Sequence, residues 1–143
     1  MLTESETRPR PLGTQLPPNE VCETLARRLR EHTQGEVLFD TASRGRYATD
    51  ASIYQIMPIG VLVPKNERDI ATAIDIARDL EVPVLPRGGG TSQCGQTTGA
   101  CLVIDNTKHF RRLLGVDVDA RTAIVEPGLV LDHLNAELKK HGL

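Results

Sequence analysis

Three consecutive glycines at residues 88–90 constrain the chain more than any other feature of its sequence. Residues without a Cβ atom reach backbone conformations that other residues avoid, and they leave successive amide groups open to contact. Such amides can form a concave, positively polarised nest that suits a phosphate group. Thr91 and Ser92 follow directly and add hydroxyl donors. The stretch therefore indicates either a phosphate-binding loop or a wide glycine turn between two strands.

The residues before the glycines predict a strand–helix–strand unit. Residues 59–63 are a β-branched run that is typical of a buried strand, and Pro64 closes it. Residues 82–85 predict a second short strand, because Pro83 keeps Val82 out of the helical region. We expect the two strands to form a parallel pair with the glycines at a carboxyl end, which is where ligands gather in such sheets. This placement favours the phosphate-binding interpretation.

The helix between these strands has the clearest amphipathic pattern in the chain. Asn66 is the expected N-cap, and Asp69 at the third helical position resembles a shortened capping box. Four apolar residues then recur at the i, i+3, i+4 and i+7 positions, and they predict the buried face: Ile70, Ala73, Ile74 and Ala77.

The N-terminal part predicts a helix and a wrapping segment. A helix is expected over residues 20–32 with Asn19 as its N-cap. Its apolar stripe repeats every four residues and consists of Val21, Leu25 and Leu29. A short strand or extended segment is expected at residues 36–40, and the polar, irregular residues 41–55 are expected to form a surface loop.

The residues after the glycines predict more strands and a final helix. Strands are expected at residues 101–105 and 122–126, and together with the residues between them they are expected to form an antiparallel hairpin or meander beside the first unit. A helix is expected at residues 131–140. The chain as a whole is therefore expected to have an α+β, α/β-like fold with a small parallel or mixed sheet flanked by helices.

Composition argues against several classes of function. The 143 residues carry a formal net charge of -2, so no global basic field favours nucleic acid as a partner. No apolar run is long enough to cross a bilayer, and residues 1–18 lack the apolar core of a signal peptide. These polar, proline-rich residues are expected to form a flexible arm, and the simplest compartment is the cytoplasm.

The cysteines are three in number: Cys22, Cys94 and Cys101. They form no Cys-x-x-Cys pair, which disfavours a disulfide framework and a metal site.

The glycine stretch matches neither of two common phosphate-binding templates. It lacks the Lys-Ser/Thr pair that ends a P-loop, and no Gly-x-Gly-x-x-Gly opens directly into a helix. A bound phosphate would therefore be held by loop amides rather than by a helix N-terminus, and a Rossmann-type nicotinamide site is disfavoured. Arg87 would either counter the charge of the phosphate or pair with a nearby acid.

Several segments together resemble one family. The string from Pro86 to Ser92, followed by Gly95 and Gln96, resembles the flavin loop of the FAD-linked oxidases. These form the vanillyl-alcohol oxidase and p-cresol methylhydroxylase (PCMH-type) superfamily, and the likeness is to its glycolate oxidase and D-lactate dehydrogenase branch. Further segments resemble that branch in the same order, at residues 47–52, 58–64 and 125–128. The likeness covers residues 41–143, and the combination is specific where each piece alone is not.

The resemblance implies a PCMH-type FAD-binding domain. Residues 56–143 would be its N-terminal half, truncated at the C-terminus, and residues 19–55 would be the N-terminal helix and wrapping segment. The loop backbone would bind the FAD pyrophosphate, and the implied cofactor-binding residues are Pro86, Arg87, Gly88, Gly89, Gly90, Thr91, Ser92, Gly95, Gln96, Pro127 and Gly128. Some family members attach the flavin through a histidine in this loop. No histidine stands there in this chain, so non-covalent FAD is implied.

The implied activity is oxidation of a small 2-hydroxy acid of the D-lactate or glycolate type, with electrons passed on to an acceptor. The substrate-binding residues would lie in a later cap domain, so no catalytic residue is assigned and the chain alone is expected to be inactive. Its partners would be the rest of its polypeptide or another subunit, including an iron–sulfur domain. The alternative is a non-catalytic phosphate- or nucleotide-binding module, or a half-site completed by a partner chain.

Overall fold

A computed structural model describes residues 16–143 of the chain. The arm expected at residues 1–18 lies, up to residue 15, outside the described residues. The elements in chain order are α1 Asn19–His32, β1 Glu36–Leu38, α2 Thr41–Gly45, β2 Gly60–Val63, α3 Glu67–Asp79, β3 Val84–Arg87, β4 Leu102–Asp105, β5 Leu113–Asp117, β6 Thr122–Val125 and α4 Leu131–Leu138. A single 3₁₀ turn, Lys139–His141, follows α4.

Four strands form a mixed sheet in the order β1-β2-β4-β3. β2 and β3 both run parallel to β4, and β1 is antiparallel to β2 at one edge. The prediction that β2 and β3 run parallel is confirmed. The prediction that they pair directly is wrong, because β4 lies between them. Residues 101–105 were expected beside this unit in a hairpin or meander, and they instead supply the central strand. The reason is that the consecutive aliphatic residues of β4, all buried, need cover on both faces of the sheet.

The two faces of this sheet have separate apolar covers. On one face, residues of β2 and β4 pack with α1 and α3 in a cluster that includes Leu25, Leu29, Ile59, Leu62, Ala73, Ile76, Leu102 and Ile104. On the other face a smaller cluster consists of Val61, Val63, Cys101 and Val103, with Tyr47 packed against it. Successive side chains of a strand point to opposite faces, so β2 and β4 contribute to both clusters. The predicted α+β fold with a small mixed sheet and flanking helices is confirmed.

α1 begins one residue earlier than expected. Asn19 is its first helical residue, Pro18 precedes it, and no side-chain hydrogen bond caps the helix. The amide of Val21 instead donates to the carbonyl of Pro18 at 3.0 Å. The predicted stripe is confirmed, because Leu25 and Leu29 are fully buried and Val21 packs against the same cluster.

Asn66 caps α3 as predicted, and its side chain accepts a hydrogen bond from the amide of Asp69 at 3.0 Å. The carboxylate of Asp69 is buried and does not bond back to Asn66 as a capping box would. It accepts hydrogen bonds from the amides of Lys65 and Gln34, both at 2.9 Å. Asp69 thereby ties the start of α3 to the turn between α1 and β1.

The predicted buried face of α3 is wrong at one position. Ala73 and Ala77 are fully buried, but Ile74 is 44% exposed. Ile76, which is 3% exposed, takes its place in the core. Both isoleucines flank the same pair of alanines on the helix surface, and only the position of the neighbouring elements decides which side is covered.

The surface loop predicted at residues 41–55 begins with a short helix, α2. Asp40 caps this helix by accepting a hydrogen bond from the amide of Ser43 at 2.8 Å. Five residues are too few to show an apolar period, which is why the sequence did not reveal α2. The rest of the segment is irregular and includes an isolated β-bridge between Thr49 and Gln55.

β5 and β6 form an antiparallel hairpin with an irregular register between Leu113 and Gly115. The predicted hairpin is therefore confirmed for these two strands. It is a separate two-stranded sheet, and α4 follows it.

Candidate functional site

A groove of about 840 Å³ lies at the carboxyl ends of β3 and β4. The loops after these strands form one wall, and the segment after β6 and the first turn of α4 form the other. The residues that line it are Tyr47, Arg87, Gly88, Gly89, Thr91, Asp105, Thr107, Arg111, Pro127, Gly128, Leu129, Val130, Leu131 and Asp132. Ligands of open parallel sheets bind at this end of the strands.

Gly88 and Gly89 leave open space in the groove wall. A Cβ atom at Gly88 would lie 3.8 Å from its nearest neighbour, the carbonyl oxygen of Pro127. At Gly89 the nearest neighbour would be the methyl group of Thr91 at 3.6 Å. Packing among residues 16–143 therefore does not require glycine at either position. The absent side chains leave room for a ligand to approach the backbone.

Gly90 and Gly95 instead provide backbone conformations that the loop requires. Their φ angles are +68° and +76°, a region that other residues rarely adopt. A Cβ atom at Gly90 would collide with the guanidinium group of Arg87, and one at Gly95 would lie 2.6 Å from the ring of Tyr54. Neither glycine lines the groove.

Gly128 is where the second wall meets the first. Its amide donates to the carbonyl of Phe110 at 2.7 Å. A Cβ atom there would lie 2.7 Å from the same oxygen and would also collide with the carbonyl of Asn106. Glycine at this position lets the segment after β6 press against the loop after β4.

Arg87 is a groove residue with backbone partners. Its guanidinium group donates hydrogen bonds to the carbonyls of Tyr47, Thr49 and Thr97, and the residue is 9% exposed. Of the two alternatives for Arg87, pairing with an acid is wrong, since no carboxylate of residues 16–143 lies within ion-pair distance of it. The guanidinium also stands over the ring of Tyr47, with its central carbon 5.4 Å from the ring centroid.

Tyr47 and Asp105 form a polar pair in the groove that the sequence did not reveal. The Tyr47 hydroxyl donates to one carboxylate oxygen of Asp105 at 2.8 Å. The other oxygen accepts from the amide and the hydroxyl of Thr107 at 2.8 and 2.6 Å. Burial, followed by the hydrogen bond to Asp105, raises the pKa of Tyr47 from 10.0 to about 12. The Tyr47 hydroxyl is thus protonated at neutral pH, where it donates a hydrogen bond and does not act as a base.

Asp50 joins its own turn to Thr97, at the far end of the glycine loop. One carboxylate oxygen accepts from the amide of Ser52 at 2.9 Å, and the other accepts from the hydroxyl and the amide of Thr97 at 3.0 and 3.4 Å. Hydrogen bonding by Ser52, and then by Thr97, lowers the pKa of Asp50 from 3.8 to about 2. Asp50 is therefore a carboxylate throughout the neutral range.

Arg111 is a second groove cation that sequence reasoning missed. Its neighbours hold its backbone, because the amide of Phe110 bonds to Asn106 at 3.2 Å and the amide of Arg112 bonds to the carboxylate of Glu126 at 2.7 Å. Within residues 16–143, the Arg111 side chain has no ion-pair partner. Its charge is thus available to an anionic ligand in the groove.

Six of the eleven implied cofactor-binding residues line the groove: Arg87, Gly88, Gly89, Thr91, Pro127 and Gly128. The others shape the loop around it or lie beyond the groove: Pro86, Gly90, Ser92, Gly95 and Gln96. Ser92, for example, contacts the Gln96 side-chain amide and accepts a hydrogen bond from the amide of Cys94 at 3.3 Å. Among the missed residues, Asp105 and Thr107 carry one signal, which is polarity at the end of a buried strand, whereas Tyr47 and Arg111 do not.

The groove lining contains few side chains that could act as a nucleophile or a base near neutral pH. No histidine or cysteine of residues 16–143 lines it. Cys101 is buried in the sheet, and burial raises the pKa of its thiol from 9.0 to about 11. No group of His, Cys, Asp and Glu side chains in the described range could hold a metal ion.

Residues 58–143 match a family model described as an FAD binding domain. The chain belongs to this family of FAD binding domains. The predicted cofactor, FAD, is thereby confirmed. The groove of this FAD binding domain suits a phosphate-bearing part of the cofactor, because its glycine wall leaves open space and Arg111 has no ion-pair partner among residues 16–143.

Curated relatives support the assignment. The chain is 39% identical over 113 residues to D-2-hydroxyglutarate dehydrogenase of Pseudomonas putida. The matched stretch covers 77% of this chain and 11% of that protein. It is 37% identical over 105 residues to glycolate oxidase subunit GlcD of Bacillus subtilis, covering 68% of this chain and 22% of that protein. The chain therefore spans only a small part of the curated relatives that it matches.

Solved structures show the same fold. The 4-ethylphenol oxidase from Gulosibacter chungangensis matches with a TM-score of 0.76 at 18% identity, over 92% of this chain and 27% of that chain. p-Cresol methylhydroxylase matches with a TM-score of 0.62 at 13% identity, again over 92% and 27%. The predicted PCMH-type fold is confirmed by these likenesses. In the part of the chain that the structure describes, no helix is both long enough and apolar enough for a bilayer crossing.

Proposed function

We propose that residues 56–143 are the N-terminal half of a PCMH-type FAD-binding domain and that the glycine loop holds the FAD pyrophosphate. Gly88, Gly89 and Thr91 would offer backbone and hydroxyl donors, and Gly128 would close the opposite wall with Pro127. The observation that carries this proposal is the glycine wall, which packing within the chain leaves open at the carboxyl ends of two parallel strands.

The remaining implied residues have supporting roles in this proposal. Gly90 and Gly95 provide the positive φ angles that turn the loop. Ser92 and Gln96 bond to one another across it, and Pro86 lies in β3 just before it. Arg111 is added to the set as the cation that faces the groove.

We further propose that the parent protein is a flavin-dependent oxidoreductase that oxidises a small 2-hydroxy acid. The relatives named above act, by their names, on D-2-hydroxyglutarate and glycolate. When bound, FAD supplies the acceptor for a hydride from the hydroxyl-bearing carbon of such an acid. The residues of this chain bind and orient the cofactor, and no residue among them is assigned to the substrate. The partners are then an electron acceptor and the remaining polypeptide or another subunit, including an iron–sulfur domain.

The test is a titration of the purified chain with FAD, followed by flavin absorption and fluorescence. We expect weak, saturable binding, because the two walls of this groove offer only part of the surface that buries a cofactor. FMN, which lacks the second phosphate and the adenosine of FAD, is the control ligand, and it should bind more weakly than FAD. With D-lactate, glycolate or D-2-hydroxyglutarate and a redox dye, the chain alone should show no turnover.

Two results would contradict this proposal. A chain that does not bind FAD but is stabilised by a different nucleotide would instead be a non-catalytic nucleotide-binding module. A chain that retains FAD through desalting and reduces the dye would contain the complete site, and the half-domain proposal would be wrong.

A further inference from the structure

We propose that Arg87 and Asp50 are positioning residues that hold the glycine loop, residues 88–97, in the shape that receives the FAD pyrophosphate. Both act by tying the loop to a separate segment, residues 47–52. The choice of ligand rests on the proposed function, whereas the tie itself consists of contacts within the chain.

The guanidinium group of Arg87 is the first tie. Nη1 donates to the carbonyl of Thr97 at 2.9 Å and to that of Tyr47 at 3.3 Å, while Nη2 donates to the carbonyl of Thr49 at 2.8 Å. One planar group thus connects the start of the loop, its far end and the other segment. A lysine could not make the same contacts, because its donors lack the fixed fork of arginine.

Gly90 is the second point of contact between the two segments. Its carbonyl accepts a hydrogen bond from the amide of Ala51 at 3.1 Å. Its α-carbon lies so close to the Arg87 guanidinium that a Cβ atom would collide there. The loop therefore packs directly on the side chain that ties it.

Asp50 is the third tie, and it acts at the far end of the loop. Its carboxylate accepts from the hydroxyl of Thr97 at 3.0 Å while holding its own turn through the amide of Ser52 at 2.9 Å. Thr97 is thus bound from both sides, by Arg87 through its carbonyl and by Asp50 through its hydroxyl.

The ties matter because a run of glycines has many accessible backbone conformations. A free loop would have to be ordered when the cofactor binds, and that entropic cost would weaken the affinity. A loop that is already held has lost this freedom at folding. Among residues 16–143, the Arg87 guanidinium bonds to backbone carbonyls and forms no ion pair.

Asp50→Asn and Thr97→Val isolate the third tie. The asparagine keeps an acceptor for the amide of Ser52 but sets an NH₂ group against Thr97, and the valine removes the Thr97 hydroxyl at similar volume. We expect each variant to speed amide hydrogen exchange in residues 88–97 by about tenfold and to weaken FAD binding by a similar factor, as the loss of one charge-assisted hydrogen bond predicts. The double variant should be no weaker than the worse single variant, because both act on one contact.

Arg87→Lys and Arg87→Met separate geometry from charge. Both remove the fork, so both should speed exchange in residues 88–97, and the lysine variant should exchange as fast as the methionine variant. The lysine variant should keep the salt dependence of FAD binding, whereas the methionine variant should reduce it to the part that Arg111 supplies. Arg30→Met is the matched control, because Arg30 is an exposed arginine on α1, and it should leave loop exchange and FAD affinity unchanged.

Two outcomes would overturn the proposal, and a third separates it from the proposed function. Unchanged loop exchange in folded Asp50→Asn and Arg87→Lys variants overturns it. Faster exchange that spreads over the whole sheet also overturns it, since this would show a general structural role. If the natural chain does not respond to FAD, the proposed function fails, while the exchange data still decide whether Arg87 and Asp50 order the loop.

Discussion

The neighbouring glycines of the loop differ in what their missing side chains do. Gly88 and Gly89 have room for a Cβ atom, whereas Gly90 has a positive φ angle and lies against Arg87. Gly89→Ala should therefore leave the free energy of unfolding within about 0.5 kcal/mol of the natural value. The same change should weaken FAD binding by about tenfold or more, because the added methyl group would stand where the diphosphate approaches.

Gly90→Ala is the matched comparison. The substitution forces an alanine into the left-handed region and against the guanidinium, so it should lower the free energy of unfolding by at least about 1 kcal/mol. Urea denaturation and FAD titration of both variants check these values. If Gly89→Ala were the more destabilising change, the glycine wall would serve packing rather than a ligand.

The Tyr47–Asp105 pair predicts a response to alkaline pH. The folded-state pKa of Tyr47, about 12, lies above its ordinary value of 10.0. The pair therefore contributes its full stabilisation below pH 10, and this contribution is lost as the pH rises through about 12. In a Tyr54→Phe background, Tyr47 is the remaining tyrosine of the chain, so phenolate absorbance reports on it alone. Ionisation at the ordinary value in the folded protein would show that the hydroxyl is not held by Asp105.

At the scale of one element, the start of α3 depends on two different kinds of contact. Asn66 caps one amide at the end of the helix, while the buried carboxylate of Asp69 satisfies two amides from outside it. Asn66→Ala should cost about 1 kcal/mol of unfolding free energy. Asp69→Ala should cost more, about 2–4 kcal/mol, because it leaves the amides of Gln34 and Lys65 without their acceptor.

Denaturant unfolding of both α3 variants tests this order. Neither residue lines the groove, so FAD affinity should be unchanged wherever the variant is folded. Equal costs for the two substitutions would show that Asp69 acts only as a local cap and does not tie α3 to the turn before β1.

At the scale of the whole molecule, the N-terminal helix shares its core with the sheet. Leu29 of α1 is fully buried in one cluster with Leu62 of β2 and Leu102 of β4. Leu29→Ala should therefore lower the free energy of unfolding by about 2–5 kcal/mol while the thermal transition stays single. Ile53, which is 95% exposed, is the control, and Ile53→Ala should change stability by less than about 0.5 kcal/mol. Separate melting of α1 would instead make residues 19–55 an independent unit.

The sequence by itself determined the features that depend on nearby residues. The apolar stripe of α1 and the Asn66 cap follow from residues within one or two helical turns of one another. The glycine loop at the end of a strand was likewise readable, because a run of residues without Cβ atoms leaves its backbone amides open whatever the fold around it. The family resemblance of these segments then pointed to FAD.

Only the tertiary structure decided what depends on contacts between distant residues. The central place of β4 depends on which strand can be covered on both faces, and the choice between Ile74 and Ile76 depends on where α1 and the sheet lie. Tyr47 and Asp105 are 58 residues apart in the chain, and Arg87 bonds to carbonyls up to 40 residues away. Backbone carbonyls carry no sequence signal, since every residue has one. The glycine loop is therefore recognisable from its sequence, but the residues that hold it in shape are not.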